Sequence, residues 1–127
     1  MLAVDTNVLV RLVVRDDVDQ VRAAEKFVTK GAWVSHLVLA ETLWVLDSVF
    51  ELSRQQVAMA VEMLLSHADL TLQDADAVTS ALDQYRTRTA VGFSDCLVLE
   101  IARKAGHLPL ATFERDFAKL DDVQRLR

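Results

Sequence analysis

The sequence predicts an α/β domain with three layers, α/β/α, around one central, mostly parallel sheet of four to five strands. Three observations carry this. Short apolar runs at Leu2–Val4, Ala32–Val34, Asp69–Leu72 and Leu108–Ala111 have the length of strands rather than helices. Longer segments with apolar residues at helical spacing separate them, and strands alternating with helices join in parallel through right-handed crossovers. The chain has 127 residues, enough for one domain and too few for two, so residues 1–127 are expected to form a single domain.

Taken in order, Leu2-Ala3-Val4 reads as a strand that buries its side chains and ends on Asp5. Open α/β sheets place their ligands at that carboxyl edge. Thr6 is the expected N-cap of a helix running to about Val14, because its hydroxyl can accept from a free backbone N–H. Asp16, Asp17 and Asp19 then supply an acidic first turn to a helix over Val18 to Lys30, with Gly31 closing it. Ala32-Trp33-Val34 is the second strand, and Ser35 caps a helix from His36 to about Phe50. Ser53-Arg54-Gln55-Gln56 matches a capping box, which starts a helix over Arg54 to His67.

Asp69 to Leu72 is the third strand, and Asp74 caps a helix through about Arg86. After the polar turn Thr87 to Gly92, Ser94 is the expected cap of a helix ending near Ala105 and Gly106. Leu108-Pro109-Leu110-Ala111 is the fourth strand; Pro109 lacks a ladder donor, which suits a strand start or a sheet edge. A short helix over Arg115 to Leu120 and a last strand over Val123 to Leu126 complete the pattern.

Composition narrows the function classes. Hydrophobic residues make up 52% and charged residues 26%, so a core forms and disorder is excluded. The longest stretch without a charge, Gly31 to Ala40, is well short of the roughly 20 residues that span a bilayer. The amino terminus lacks the basic-then-apolar pattern of a secretory signal, and the lone Cys96 excludes an internal disulfide. Both features lead to the expectation of a cytoplasmic protein. A net charge of −5 argues against non-specific nucleic-acid binding through a basic face. It is compatible with a nuclease, because acids that bind divalent cations contribute to it.

Most of the 19 acids read as solvated surface. Glu100 is one, with Arg103 and Lys104 at helical salt-bridge spacing. Three others differ. Asp5 follows an apolar strand, Glu41 shares a face with Leu37, Val38, Trp44 and Val45, and Asp95 shares one with Val98, Leu99 and Ala102. An ionised carboxylate out of water is costly unless paired or metal-bound. An acid at the edge of an apolar stripe that reaches water is the plainer reading of each, as Glu62 beside Ala58, Met59 and Leu65 illustrates. A fourth group, Glu114 or Asp116, follows the strand ending at Ala111. These four segments are expected to meet in one cleft. Oxygen ligands without a paired His or Cys motif point to Mg²⁺ or Mn²⁺ rather than zinc. His36, His67 and His107 are scattered, and Cys96 lacks a flanking His–acid pair.

Asp5-Thr6-Asn7 followed by Val-Leu-Val, Ala40-Glu41-Thr42-Leu43, Phe93-Ser94-Asp95 and Thr112-Phe113-Glu114-Arg115-Asp116-Phe117 stand in the order of the motifs of PIN-domain ribonucleases. Over nearly its whole length the chain resembles a VapC-type toxin of bacterial or archaeal toxin–antitoxin pairs. It departs from the family pattern at Glu114, where Asp is usual. That leaves the fourth acidic position open between Glu114 and Asp116.

The resemblance implies a PIN-like fold and a metal-dependent endoribonuclease that leaves a 5′-phosphate and a 3′-hydroxyl. Asp5 and Asp95 would hold the metal, Glu41 would bind it through water or orient the nucleophile, and Glu114 or Asp116 would complete the shell. Thr6, Asn7, Ser94 and Thr112 would orient these carboxylates, a role compatible with helix capping. The resemblance also implies a homodimer, a toxin–antitoxin assembly of higher order, and a cognate antitoxin whose tail covers the active site. The apolar helices Leu37 to Phe50 and Val57 to Leu65 offer it a groove. Arg11, Arg15, Arg86, Arg88 and Arg115 are candidates to guide RNA, and Trp33 and Trp44 to stack on bases or fill a core or interface. Two other readings compete. One is a catalytically silent PIN-like interaction module, to which Glu114 is the only pointer. The other is a haloacid-dehalogenase-like phosphatase, disfavoured because Asn7 stands where a second Asp is required.

Overall fold

Parallel pairing of β1 (Leu2–Ala3), β2 (Ala32–Val34) and β3 (Leu70–Leu72), in that spatial order, builds one sheet, and parallel pairing of β4 (Leu110–Thr112) with β5 (Val123–Arg125) builds a second. The computed structural model describes all residues from Met1 to Arg127 and gathers them into two units, Met1–Ala75 and Asp76–Arg127. The α/β class with parallel strands is as the sequence implies; the strands are short and divided three and two.

In the first unit Ala32 pairs with Leu70 and Val34 with Leu72, and all four are buried while Trp33 and Thr71 alternate outward. This is the period-2 signature of a sheet with one covered face. β1 departs from expectation. It has only one hydrogen-bonded neighbour, Leu2 and Ala3 are exposed, and burial begins at Val4. The first apolar run is therefore an open edge, not a buried strand.

Asp5, not Thr6, caps α1 (Thr6–Val14): its carboxylate accepts from the Thr6 N–H at 2.7 Å. An anion at the positive helix end out-competes a hydroxyl for that position. Thr6 becomes the first helical residue, with its hydroxyl buried and unpartnered. Asp17 caps α2 (Val18–Val28), which stops short of Lys30 because Thr29 ends it and Gly31, at φ +85°, turns the chain into β2. Ser35 caps α3 (His36–Ser48) by accepting from the Val38 N–H at 3.1 Å. The capping box of α4 (Arg54–Ser66) is complete: Ser53 Oγ accepts from the Gln56 N–H, and Gln56 Oε1 accepts from the Ser53 N–H. Leu9, Leu39, Leu46, Val61 and Leu64 bury the apolar faces of these helices.

In the second unit α5 (Ala75–Thr87) and α6 (Phe93–Ala105) supply Val78, Ala81, Leu97 and Leu99 to the core. Ser94 does not cap α6. The helix starts at Phe93, behind Gly92, because the buried Phe93 ring packs edge-on against Tyr85 at 5.8 Å and fixes the entry. β4 begins after Pro109, at Leu110, where the first N–H able to join a ladder donates to the Asp122 carbonyl at 2.9 Å. The expected short helix is a single 3-10 turn, Phe117–Lys119.

Glu100 overturns its reading as solvated surface. It is 7% exposed, and its Oε2 accepts from Arg103 Nε at 3.0 Å. Arg103 Nη1 also holds Asp122, at the turn into β5. Arg103 thus links the buried Glu100 of α6 to the turn before the last strand.

Candidate active site

Each unit brings one pair of the expected acids together. In the first, Asp5 and Glu41 line the same cavity of about 300 Å³, shared with Thr6, Asn7, Arg11 and Phe50. The β1–α1 junction sets Asp5 and the second turn of α3 sets Glu41. The cavity walls are apolar at Val10 and Val45, so the two carboxylates sit at the rim of a partly dry hollow. Both acids are solvent-exposed. The face of α3 that carries Glu41 is not a core face: Leu37 is 77% and Trp44 64% exposed.

Two polar atoms at this cavity lack partners. Thr6 Oγ1 and Arg11 Nε are buried and make no hydrogen bond, although Arg11 Nη1 pairs with Asp16. Buried polar groups are nearly always satisfied, by protein or by ordered water, so these two atoms each need a partner from the cavity. Arg11 stood in the sequence only as one of several scattered arginines. Its spacing of four from Asn7 on α1 is the local signal that puts both on the cavity side of the helix.

In the second unit Asp95 lies half-buried in the first turn of α6. Burial, and then the negative charge of Glu114, push its carboxyl up from the ordinary value. Glu114 follows β4, and its N–H donates to Thr112 Oγ1 at 3.1 Å. Asp116 is engaged elsewhere, with Lys119 Nζ at 3.2 Å. Of the two acids left open by the sequence, Glu114 is therefore the one whose charge acts on Asp95. Ser94 is exposed and makes no capping bond.

Within neither unit do three or more His, Cys, Asp or Glu side chains group as a ligand set. The donors present are oxygen only, and the repulsion at Asp95 is of the kind a cation relieves. That chemistry fits Mg²⁺ or Mn²⁺.

The chain is an α/β protein with parallel strands, Asp5 and Glu114 following strands and Glu41 and Asp95 standing on helices. The chain belongs to the PIN domain family, whose match covers residues 2–123. PIN domains are generally metal-dependent nucleases, so the fold is nuclease-like. No curated protein and no solved structure matches the chain. No helix is long and apolar enough to cross a membrane.

Proposed function

We propose that the protein is a cytoplasmic, metal-dependent endoribonuclease of the VapC type, the toxin of a toxin–antitoxin pair, with residues 1–127 forming its single PIN domain. The observation that carries this reading is the PIN family match over residues 2–123 together with the cavity that Asp5 and Glu41 share. Asp5, Asp95 and Glu114 hold the cation. Glu41 orients the attacking water and accepts its proton. Thr6, Asn7, Ser94 and Thr112 are the polar residues beside these carboxylates in sequence that would orient them; Thr112 Oγ1 accepts from the Glu114 backbone N–H. Asp116 is the weaker candidate for the site because Lys119 already neutralises it. A bound Mg²⁺ or Mn²⁺ supplies charge neutralisation at the attacked phosphate and a more acidic water.

The exposed Leu37 and Trp44 on α3 and Met59 on α4 support the partner half of the proposal, an apolar surface for the antitoxin or for a second copy in a homodimer. Purified protein with Mn²⁺ is expected to cut RNA to 5′-phosphate ends, and Asp5→Asn or Asp95→Asn to abolish cutting with the fold intact. Millimolar Mn²⁺ is also expected to raise the melting temperature of the parent. Undiminished cutting by both variants removes them from the site. No cutting and no thermal response to Mn²⁺ would instead make the chain a silent interaction module.

A further inference from the structure

A second hollow of about 360 Å³ lies between α1 and α2, lined by Asn7, Arg11, Gln20, Ala23 and Phe27. Nothing in the hydrolytic reading uses it. Asn7 and Arg11 line this hollow and also the cavity of Asp5 and Glu41, so the two are contiguous through the same helix face. Resting on the nuclease reading, we propose that the α1–α2 hollow is the subsite for a nucleobase next to the phosphate that is attacked.

The lining suits a base better than any other occupant. Phe27 is 42% exposed, an aromatic face left open at the mouth, and base stacking on such rings is tolerant of sequence. The side-chain amides of Asn7 and Gln20 make no hydrogen bond within the chain. Each offers a donor and an acceptor in one plane, which is what the Watson–Crick edge of an unpaired base presents. Arg11 is fixed by Asp16 through Nη1, and its buried Nε remains free to donate to a base carbonyl or a phosphate oxygen. The volume is at the lower end of small-ligand pockets, about 300 Å³ upward, which suits one nucleoside. An apolar peptide side chain would pack on the buried Ala24 but leave the buried Arg11 Nε unpaired, which costs stability.

The test uses the metal-free full chain and an amide NMR titration with 5′-AMP, 5′-GMP, 5′-CMP and 5′-UMP, each against inorganic phosphate. At least one mononucleotide is expected to shift the amides of Ala23, Ala24 and Phe27, with several-fold preference among the four bases, and phosphate alone to leave them in place. Phe27→Ala is expected to weaken that binding about tenfold. Gln20→Leu is expected to flatten the preference. A short single-stranded RNA carrying the preferred base should bind with the same footprint. No shift on α2 with any nucleotide, equal shifts with phosphate alone, or full binding in Phe27→Ala overturns the proposal. Phe27→Leu, which keeps the apolar contact and loses the ring, separates stacking from loss of fold. Base binding without metal-dependent cutting sinks the nuclease reading and leaves a nucleotide site; cutting without base binding sinks the subsite alone.

Discussion

Removing Arg103 is expected to cost far more than its position near the surface suggests. Glu100 has a side chain only 8% exposed, and the Arg103 Nε at 3.0 Å is the ion-pair partner it keeps. Arg103→Met retains the aliphatic stem but strands a buried carboxylate. Breaking a fully buried pair costs about 3–5 kcal/mol. The Arg103 side chain is 34% exposed, so water reaches the vacated space and the expected loss falls to about 2–3 kcal/mol. For a chain of this size that is a fall in melting temperature of about 8–12 °C. The double change Glu100→Leu with Arg103→Met removes both charges and should recover most of the loss. Thermal and urea unfolding, at one protein concentration and without metal, measure both. A fall of less than about 2 °C in Arg103→Met, or a double variant as unstable as the single, refutes the view that the pair is desolvated.

Asp95→Asn should act in the opposite sense. The Asp95 carboxyl is raised above its ordinary 3.8, so the folded state holds that proton more tightly than the unfolded chain. Its ionised form therefore weighs against folding at neutral pH, and the penalty disappears as pH falls through the folded value towards 3.8. Melting curves across that range should show the variant more stable at neutral pH and level with the parent in acid; a variant less stable at pH 7 contradicts the repulsion. Ser53→Ala should cost about 1 kcal/mol by opening the α4 capping box, read as faster amide exchange at Val57 and its neighbours. Glu114→Gln should impair Mn²⁺-dependent cutting strongly and Asp116→Asn mildly, and the reverse order would return the fourth position to Asp116.

What the sequence disclosed was local. The Ser53–Gln56 spacing, the alternation at Ala32–Val34 and Gly106 as a helix stop are each decided within a few residues, and each holds. Competition between adjacent residues was not legible. Asp5 and Thr6 both suit a cap, and only the folded backbone chooses the carboxylate. Ser94 suits one too, but the Phe93–Tyr85 ring contact starts α6 earlier. Glu100 showed its Arg103 neighbour at i+3 but not the burial that makes the pair matter, nor Asp122 nineteen residues away. The acids Asp5, Glu41, Asp95 and Glu114 were found by their places after strands and on helix faces. The sequence left Glu114 and Asp116 open and did not show that Asp116 faces Lys119, an ion pair three residues on.

Glu100 and Asp95 stand five residues apart on α6, and their difference is the strongest physical argument for a ligand. At Glu100 the fold buries a carboxylate and supplies Arg103 to neutralise it. At Asp95, one and a half turns earlier, burial is joined by the charge of Glu114, and both raise the carboxyl's pKa. The same chain therefore pairs a buried acid where the role is structural and leaves one repelled where it is not. Thr6 Oγ1 and Arg11 Nε are also buried without partners beside Asp5 and Glu41, but the Arg11 N–H is a cationic donor and suits an anion, not a metal. Unsatisfied groups of this kind cost about 1–3 kcal/mol each, and chains keep them where binding later repays the loss. A buried orphan also occurs at His36 Nε2, five residues before Glu41 on α3. On the proposed reading, the stability lost at Asp95 should be regained on adding a divalent ion, and a melting temperature indifferent to Mn²⁺ would count against it.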